Sequence, residues 1–443
     1  MKKLNIVIVG CLLSFNTFAA SPKTQTGLPI EELRTFAEVY NTVKQGYVEP
    51  VSDKEMLSNA ISGMLSKLDP HSSYLDSDAF KDLQETTQGE FGGLGIEVMM
   101  EEGLVKVISP IEDSPAFKAG VQSGDLIYKI NEESVKDMTF LEAVKKMRGK
   151  PNTKVKISIL RKSAEQPVNL ELTREIIHVK SVKSKMVEPH YAWVRITQFQ
   201  ENTLSDLVTH LTRLSRESEL KGLLLDLRND PGGLLNAAIG VSSVFLDKGV
   251  KIVSTDGRTI DSRQEFFANA KYYLGPFDKD PIVNLPPYIR KVKMVVLVNS
   301  GSASASEIVA GALQDYKRAQ IVGTTTFGKG SVQTILPLPN NTGIKLTTAR
   351  YYTPLGRSIQ AKGIVPDVVI EETAKGTGLR LRESDLERHL PNKKEAEAPK
   401  MDLQKGKNKE ADDAILRLEF GSKDDYQFQE ALALLKGEKR YQR

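Results

Sequence analysis

The chain has 443 residues, with one cysteine, one tryptophan and a formal net charge of +4 from 61 basic and 57 acidic side chains. That length supports two or more domains around a substantial core. Dispersed charge of both signs excludes a nucleic-acid surface, and a lone cysteine excludes a disulfide framework, so stability must come from packing.

Met1-Lys-Lys, apolar Leu4 to Phe18 and small Ala19-Ala-Ser21 form the pattern of a secretory signal peptide over 1–20, cut after Ala19 or Ala20. The apolar part is too short and interrupted to span a membrane, and the chain is expected to be exported. Ile8-Val-Gly-Cys11 resembles a lipoprotein box, but the apolar Leu12-Leu-Ser-Phe15 after it argues against lipidation of Cys11. A helical segment is expected over 21–88. Leu33, Phe36, Tyr40 and Val43 make one stripe at helical spacing. Ser52-Asp-Lys-Glu55 opens a second helix carrying Leu57, Ile61, Met64 and Leu68. The two stripes either form a dimerisation surface or pack on the body of the same chain. His71 falls in the Pro-broken loop Leu68-Asp-Pro-His-Ser-Ser-Tyr74, where loop structure is a better reading than a catalytic triad, since the chain has no Gly-x-Ser-x-Gly elbow.

Residues 89–173 have short β-rich runs (95–99, 105–108, 125–130, 155–161, 168–172) and one helix from Leu141 to Met147, capped by Thr139-Phe-Leu-Glu142. Gly92-Gly-Leu-Gly-Ile96, Ser114-Pro-Ala, Ala119-Gly-Val and Gly124-Asp-Leu-Ile resemble a PDZ domain. The resemblance implies a loop at Leu94, Gly95 and Ile96 whose amides take a peptide's terminal carboxylate, the peptide then adding as a strand. Leu94, Ile96, Leu141 and Val144 are the candidates for its apolar pocket. Without the glycine-rich loop they would read as core. Arg161, at a strand end, is a candidate to pair with a peptide or with the neighbouring body, although such arginines are usually solvated.

From Arg174 to about Glu372 apolar strands alternate with helices: 192–196, 204–214, 223–227, 234–246, 294–298, 304–316 and 320–323. This alternation predicts an α/β layer. Two further strands, 331–338 and 344–352, flank the hairpin Pro339-Asn-Asn-Thr-Gly343. Residues 256–287 read as irregular, either a mobile flap or a surface excursion. A charged linker over 393–413 and a terminal helix through Phe428, Ala431, Leu432 and Leu435 complete the 373–443 segment. That helix suits either oligomerisation or docking on its own subunit.

Chemistry concentrates in three stretches. Asn299-Ser-Gly-Ser-Ala-Ser-Ala-Ser-Glu-Ile308 joins a buried strand to a helix. Unpaired amides there favour a developing anion, and a serine among them is a candidate nucleophile. Ser304-Ala-Ser-Glu307 equally fits a capping box. Thr325-Thr-Phe-Gly-Lys-Gly-Ser-Val-Gln333 holds Lys329 between two glycines. It reads as a solvated turn or as a buried base; lowering a lysine from about 10.4 to about 7 takes roughly 4.6 kcal/mol, which demands a dry pocket. Four fully extended residues would hold Lys329 and Gln333 roughly 13 Å apart, so contact needs a bend at Gly330. Gly222-Leu-Leu-Leu-Asp-Leu-Arg-Asn-Asp-Pro-Gly-Gly-Leu-Leu235 runs a buried strand into a tight turn. Its Gly232 or Gly233, with the amide of Ala305, could form an oxyanion hole.

Together these three motifs resemble the carboxyl-terminal processing proteases, also called tail-specific proteases, over about Leu28 to Asp367. The resemblance implies Ser304 as nucleophile, Lys329 as general base and Gln333 as its orienter, with no cofactor. Some relatives place an aspartate, here Asp315 by position, in the relay, although an ion-paired lysine would stay protonated. It implies a PDZ domain inserted in an α/β protease core between N- and C-terminal helical segments. Protein substrates with free apolar C-termini, a lipoprotein adaptor, an envelope or cell-wall role in the periplasm and homo-oligomers through the terminal helices belong to the same expectation. The five histidines, 71, 178, 190, 210 and 389, show no metal-ligand spacing. The rivals are a non-catalytic PDZ scaffold and a hydrolase with a histidine-based triad.

Overall fold

The computed structural model describes residues 28–111, 113–161, 164, 166–373, 381–392 and 419–438. The signal peptide expected over 1–20, Cys11 and the linker expected over 393–413 lie outside the described residues. Two units make up the chain, the first ending at Ile61 and the second starting at Ser62.

In the first unit, helix α1 (Ile30–Gly46) buries none of its residues. Leu33, Phe36 and Val43 of the apolar stripe stay exposed. Helix α2 (Asp53–Ser66) starts as its sequence dictates, with the Glu55 amide donating to Ser52 Oγ at 3.2 Å.

The second unit begins with β1 (Ser73–Leu75) and α3 (Ser77–Gln88), the latter capped by Asp76, whose carboxylate accepts from the Ala79 amide at 2.8 Å. A two-stranded neck, β2 (Glu90–Gly93) and, at the far end of the inserted domain, Glu175–His178, pairs Glu90 with His178. Between them lie β3 (Ile96–Glu101), β4 (Leu104–Pro110), α4 (Pro115–Lys118), β5 (Leu126–Ile130), β6 (Glu133–Ser134), α5 (Phe140–Met147), β7 (Lys154–Leu160) and β8 (Val168–Thr173); the closing neck strand is β9. The five long strands form an antiparallel sheet in the order β3-β4-β5-β7-β8, which leaves β3 with one unpaired edge. Val105, Val107, Ile127, Ile157 and Ile159 fill its core. Thr139 and Glu142 cap α5 reciprocally, as their spacing predicts.

The body continues with β10 (Val182–Glu188), β11 (Tyr191–Ile196), α6 (Thr203–Glu217), β12 (Gly222–Asp226), α7 (Leu235–Phe245), β13 (Lys251–Gly257), β14 (Gln264–Phe267), β15 (Lys293–Val298), α8 (Ala305–Asp315), β16 (Gln320–Gly323), β17 (Ser331–Leu338), β18 (Thr342–Tyr352), β19 (Val368–Val369) and α9 (Tyr426–Lys436). One sheet runs β10-β11-β12-β15-β16-β19, parallel except for β10. Its central strands β12 and β15 are apolar on both faces because both are covered. Helices α6, α7 and α8 pack on one face, through Leu207, Leu211, Val241, Val244 and Val309. Helix α9 covers the other: Phe428, Ala431, Leu432 and Leu435 are buried with Trp193, Leu224 and Val295. The terminal helix therefore docks on its own subunit, and its apolar stripe is not available as the oligomer contact expected of it. Residues 256–287 are not a free flap either. They contain β14, paired to β13, and Phe266, Tyr272 and Tyr273 pack against the main core.

A second sheet joins β1, β18, β13 and β14, with β17 also on β18. Because Ser73–Leu75 pairs with Gly343–Lys345 of β18, the chain enters the α/β body before the inserted domain and returns to it afterwards.

Candidate active site

Strands β12 and β15 are parallel neighbours, so the turns leaving their C-terminal ends lie side by side although 70 residues separate them, which is where α/β sheets place ligands. Reciprocal bonds lock the turns: the Asn229 amide donates to Asn299 Oδ1 at 2.8 Å and Asn299 Nδ2 to Asn229 Oδ1 at 2.7 Å. Ser302 Oγ donates to the Leu227 carbonyl at 2.7 Å, and Ser306 Oγ to the Asp230 carbonyl at 3.0 Å. Two of the serines in the run are thus fasteners, and Ser304 stands between them.

Ser304 has φ 54° and ψ −109°, a backbone conformation that costs a non-glycine residue on the order of 1–3 kcal/mol. Gly232, at φ 97°, is pressed against it: an added Cβ would lie 2.9 Å from Ser304 Cβ, 2.8 Å from the Ala305 nitrogen and 2.7 Å from the Ala303 carbonyl oxygen. The Gly232 amide donates to Asp230 Oδ1 at 2.8 Å. Among the described residues the amides of Gly233 and Ala305 have no acceptor. Of the two glycines proposed from sequence, Gly233 is therefore the one with a donor to offer. Burial pushes the Asp230 carboxyl up to about 8, against the Gly232 amide and the Arg195 charge.

Glu307 ties the serine turn to the lysine loop. Its Oε2 accepts the Ser304 amide at 2.8 Å and the Lys329 amide at 2.9 Å, while Oε1 accepts the Gly328 amide at 2.7 Å and Thr326 Oγ1 at 2.5 Å. It is fully buried, and burial lifts it to about 7 in spite of those four donors. The Ser304–Glu307 spacing announces a capping interaction; the reach to residues 326–329 has no local signal in the sequence.

Lys329 is half-buried, and burial, with the Lys345 ammonium beside it, pulls it down to about 8 against Glu383, Glu307 and Asp69. Among the described residues no hydrogen bond joins its amine to the Ser304 hydroxyl or to Gln333. Gln333 Nε2 donates instead to Ser331 Oγ at 2.9 Å and to Thr347 Oγ1 at 3.4 Å. Thr347 in turn donates to Asp69 at 3.1 Å. His71 Nε2 meets Glu383 Oε2 at 2.7 Å, Glu383 Oε1 accepts Gln360 Nε2 at 2.9 Å, and Gln360 Oε1 accepts the Gly330 amide at 3.0 Å. A 381–392 strap thereby braces the lysine loop, another connection invisible in sequence. Asp315 ends α8, on the order of 15 Å along the helix from Ser304. There it pairs with Arg357 at 2.5 Å, away from the lysine.

In the inserted domain Gly95 adopts φ 72° and an added Cβ would overlap Ser114, so the loop needs glycine there. Ile96 and Val144 are half-buried on the domain core. Two expected pocket residues lie elsewhere: Leu94 is 3% exposed, packed inward, and Leu141 is 75% exposed on the outer side of α5. Arg161 is not available to a peptide either, since Nε and Nη2 donate to both oxygens of buried Asp125 at 2.8 Å and Nη2 also to the Gly120 carbonyl at 2.8 Å. Among the described residues no group of three or more His, Cys, Asp or Glu is placed to hold a metal ion.

Comparison with known proteins fits this arrangement. The profile of Peptidase family S41 matches residues 190–370, that of the PDZ domain 92–172, and that of the activating protease CtpB N-terminal domain 14–79. They define a serine peptidase with a PDZ domain set into it. A carboxy-terminal-processing protease of Bartonella bacilliformis is 43% identical over 99% of this chain and 96% of its own length. The carboxy-terminal processing protease CtpA of Bacillus subtilis is 37% identical over 75% of this chain and 68% of its own. A CtpA-like serine protease of Staphylococcus epidermidis is 33% identical over 83% and 72%. The chain belongs to the carboxy-terminal-processing proteases of peptidase family S41.

Proposed function

We propose that the chain is an exported endopeptidase that cleaves polypeptides with a Ser304–Lys329 dyad. The observation that carries this reading is the shared carboxylate of Glu307, which holds the backbone of the strained serine and of the lysine at one oxygen. Lys329, neutral above about 8, takes the proton from Ser304 Oγ as the hydroxyl attacks the scissile carbonyl. The Ala305 and Gly233 amides receive the oxyanion. Lys329 then returns the proton to the leaving amine, and water, activated the same way, releases the acyl group. Gln333 swings from Ser331 to orient the amine when substrate closes the site. The unengaged amine supports a gated resting state, because catalytic hydrogen bonds often tighten only with substrate bound.

Substrates are polypeptides with free apolar C-termini. Each adds as a strand to the open edge of β3, its terminal carboxylate at the Gly95 loop and its last side chain against Ile96 and Val144. The N-terminal pattern of residues 1–20 supports export to a periplasm and work on envelope or cell-wall-linked proteins, with a lipoprotein adaptor as the delivering partner. The exposed stripe of α1 supports homo-oligomerisation. Purified protein incubated with an unfolded substrate tests the proposal: Ser304→Ala and Lys329→Ala each abolish cleavage, and cleavage that survives both overturns the dyad.

A further inference from the structure

Behind the lysine loop, a cavity of about 500 Å³ opens between the β13–β18 pair and the 381–392 strap. Three arginines line it, Arg258, Arg263 and Arg350, against a single acid, Asp256. Asp256 is already engaged by Arg263 Nε at 3.3 Å. Arg258 has no hydrogen-bond or ion-pair partner among the described residues, and Arg350 Nε is buried with none. Among the described residues the one side-chain hydrogen bond of Arg350 is long, 3.5 Å from Nη2 to the Pro391 carbonyl. Two guanidinium groups therefore face one space that holds no free acid among the described residues, and a buried donor left unpaired is unfavourable until a partner arrives.

Register puts this space beside the proposed catalytic group. Arg350 lies opposite Ser331 and Thr347 opposite Gln333, and cross-strand partners share a face. Gln333 and Ser331 are bonded to each other on that face, and Thr347, which accepts from Gln333, also lines the cavity. A group seated on Arg350 thus lies on the Gln333 side of the site, opposite Ser331, which follows Lys329 by two residues.

We infer that this arginine-lined cavity binds a carboxylate of the polypeptide substrate, held by Arg350 and Arg258. The planar guanidinium fork matches a carboxylate in two parallel bonds. Either the free C-terminus of a segment threaded past the dyad or an Asp or Glu side chain near the cleaved bond supplies it. The inference rests on the Ser304–Lys329 reading for its catalytic meaning, but binding is measurable without turnover.

Matched fluorescent peptides, differing only in an interior Glu or Gln or only in a C-terminal acid or amide, test it. Anisotropy is read on the full-length chain carrying Ser304→Ala, and kcat/KM on the chain with Ser304 intact. One carboxylate peptide should bind at least about tenfold tighter than its amide partner, and, because the Gly95 loop holds a terminal carboxylate of its own, the pair whose ratio the arginine substitutions lower names the source. Arg350→Met and Arg258→Met should each lower that acid-to-amide ratio, to near one for the interior pair; Arg258 is exposed, so its variant serves if the Arg350 variant misfolds. Equal binding within both pairs, or a ratio that survives both substitutions, overturns the inference. Cleavage persisting in Ser304→Ala would instead overturn the dyad.

Discussion

Glu307→Gln is the most diagnostic perturbation of the site, because it changes one atom's chemistry while keeping the side chain's shape. The carboxylate accepts four donors, two at each oxygen. An amide offers one accepting oxygen, and its NH2 meets the other two donors head on. Two buried donors lose their partners at about 1–3 kcal/mol each, so the variant should lose about 2–6 kcal/mol of stability. That is a large share of the roughly 5–15 kcal/mol that holds a typical domain folded. The same defect frees the Ser304 turn from the Lys329 loop, and a displacement on the order of 1 Å between reacting groups costs about a hundredfold in rate. Urea unfolding and kcat/KM on an unfolded protein substrate read the two effects, with peptide affinity of the PDZ domain as the internal control. Unfolding free energy within about 1 kcal/mol of wild type together with kcat/KM within about threefold would refute the reasoning.

Four other outcomes follow from the same geometry. In the proposed dyad Lys329 acts only when neutral and is held near 8, so the acid limb of kcat/KM should rise with pH with a midpoint set by the lysine. Removing the neighbouring anion by Glu383→Gln should move that midpoint to lower pH, whereas a purely structural Glu383 would change the amplitude and leave the midpoint alone. Asp230, neutral below about 8, places a negative charge beside the proposed oxyanion turn once it ionises, so the two titrations oppose each other: the wild-type profile should peak near 8 and fall above it, and Asp230→Asn should leave a single rise to an alkaline plateau. Gly232→Ala has no space for its methyl against Ser304, Ala305 and the Ala303 carbonyl; turnover should collapse while PDZ peptide binding, measured by anisotropy, persists.

The sequence made legible whatever is decided locally. The apolar runs of β12 and β15, the reciprocal cap of α5 and the full extents of β16 and β17 all follow from composition and spacing. The peptidase assignment rested on three motifs, two of them on turns that parallel pairing sets side by side. What stayed hidden is non-local. Strands β13 and β14 pair across a turn within a stretch that has no clear alternation, and three-residue β1 exists only because β18 receives it. Leu94 sits beside a glycine-rich loop, as a pocket residue would, yet it turns into the core. Arg161 finds Asp125 36 residues earlier in the chain, and Glu307 finds Thr326, Gly328 and Lys329. An acid in a helix's first turn reads as a cap until the loop that wraps it is seen. The C-terminal helix illustrates the same limit, for an amphipathic stripe does not say which surface covers it.

Labelling with a serine-acylating fluorophosphonate, followed by intact mass and peptide mapping over a pH series, tests the dyad most directly. The adduct should map to Ser304, form at a rate that rises with pH towards 8, and vanish in Lys329→Ala, while replacement of any single histidine leaves it in place. An adduct on another residue, or Ser304 labelling that proceeds unchanged without the lysine, would contradict it.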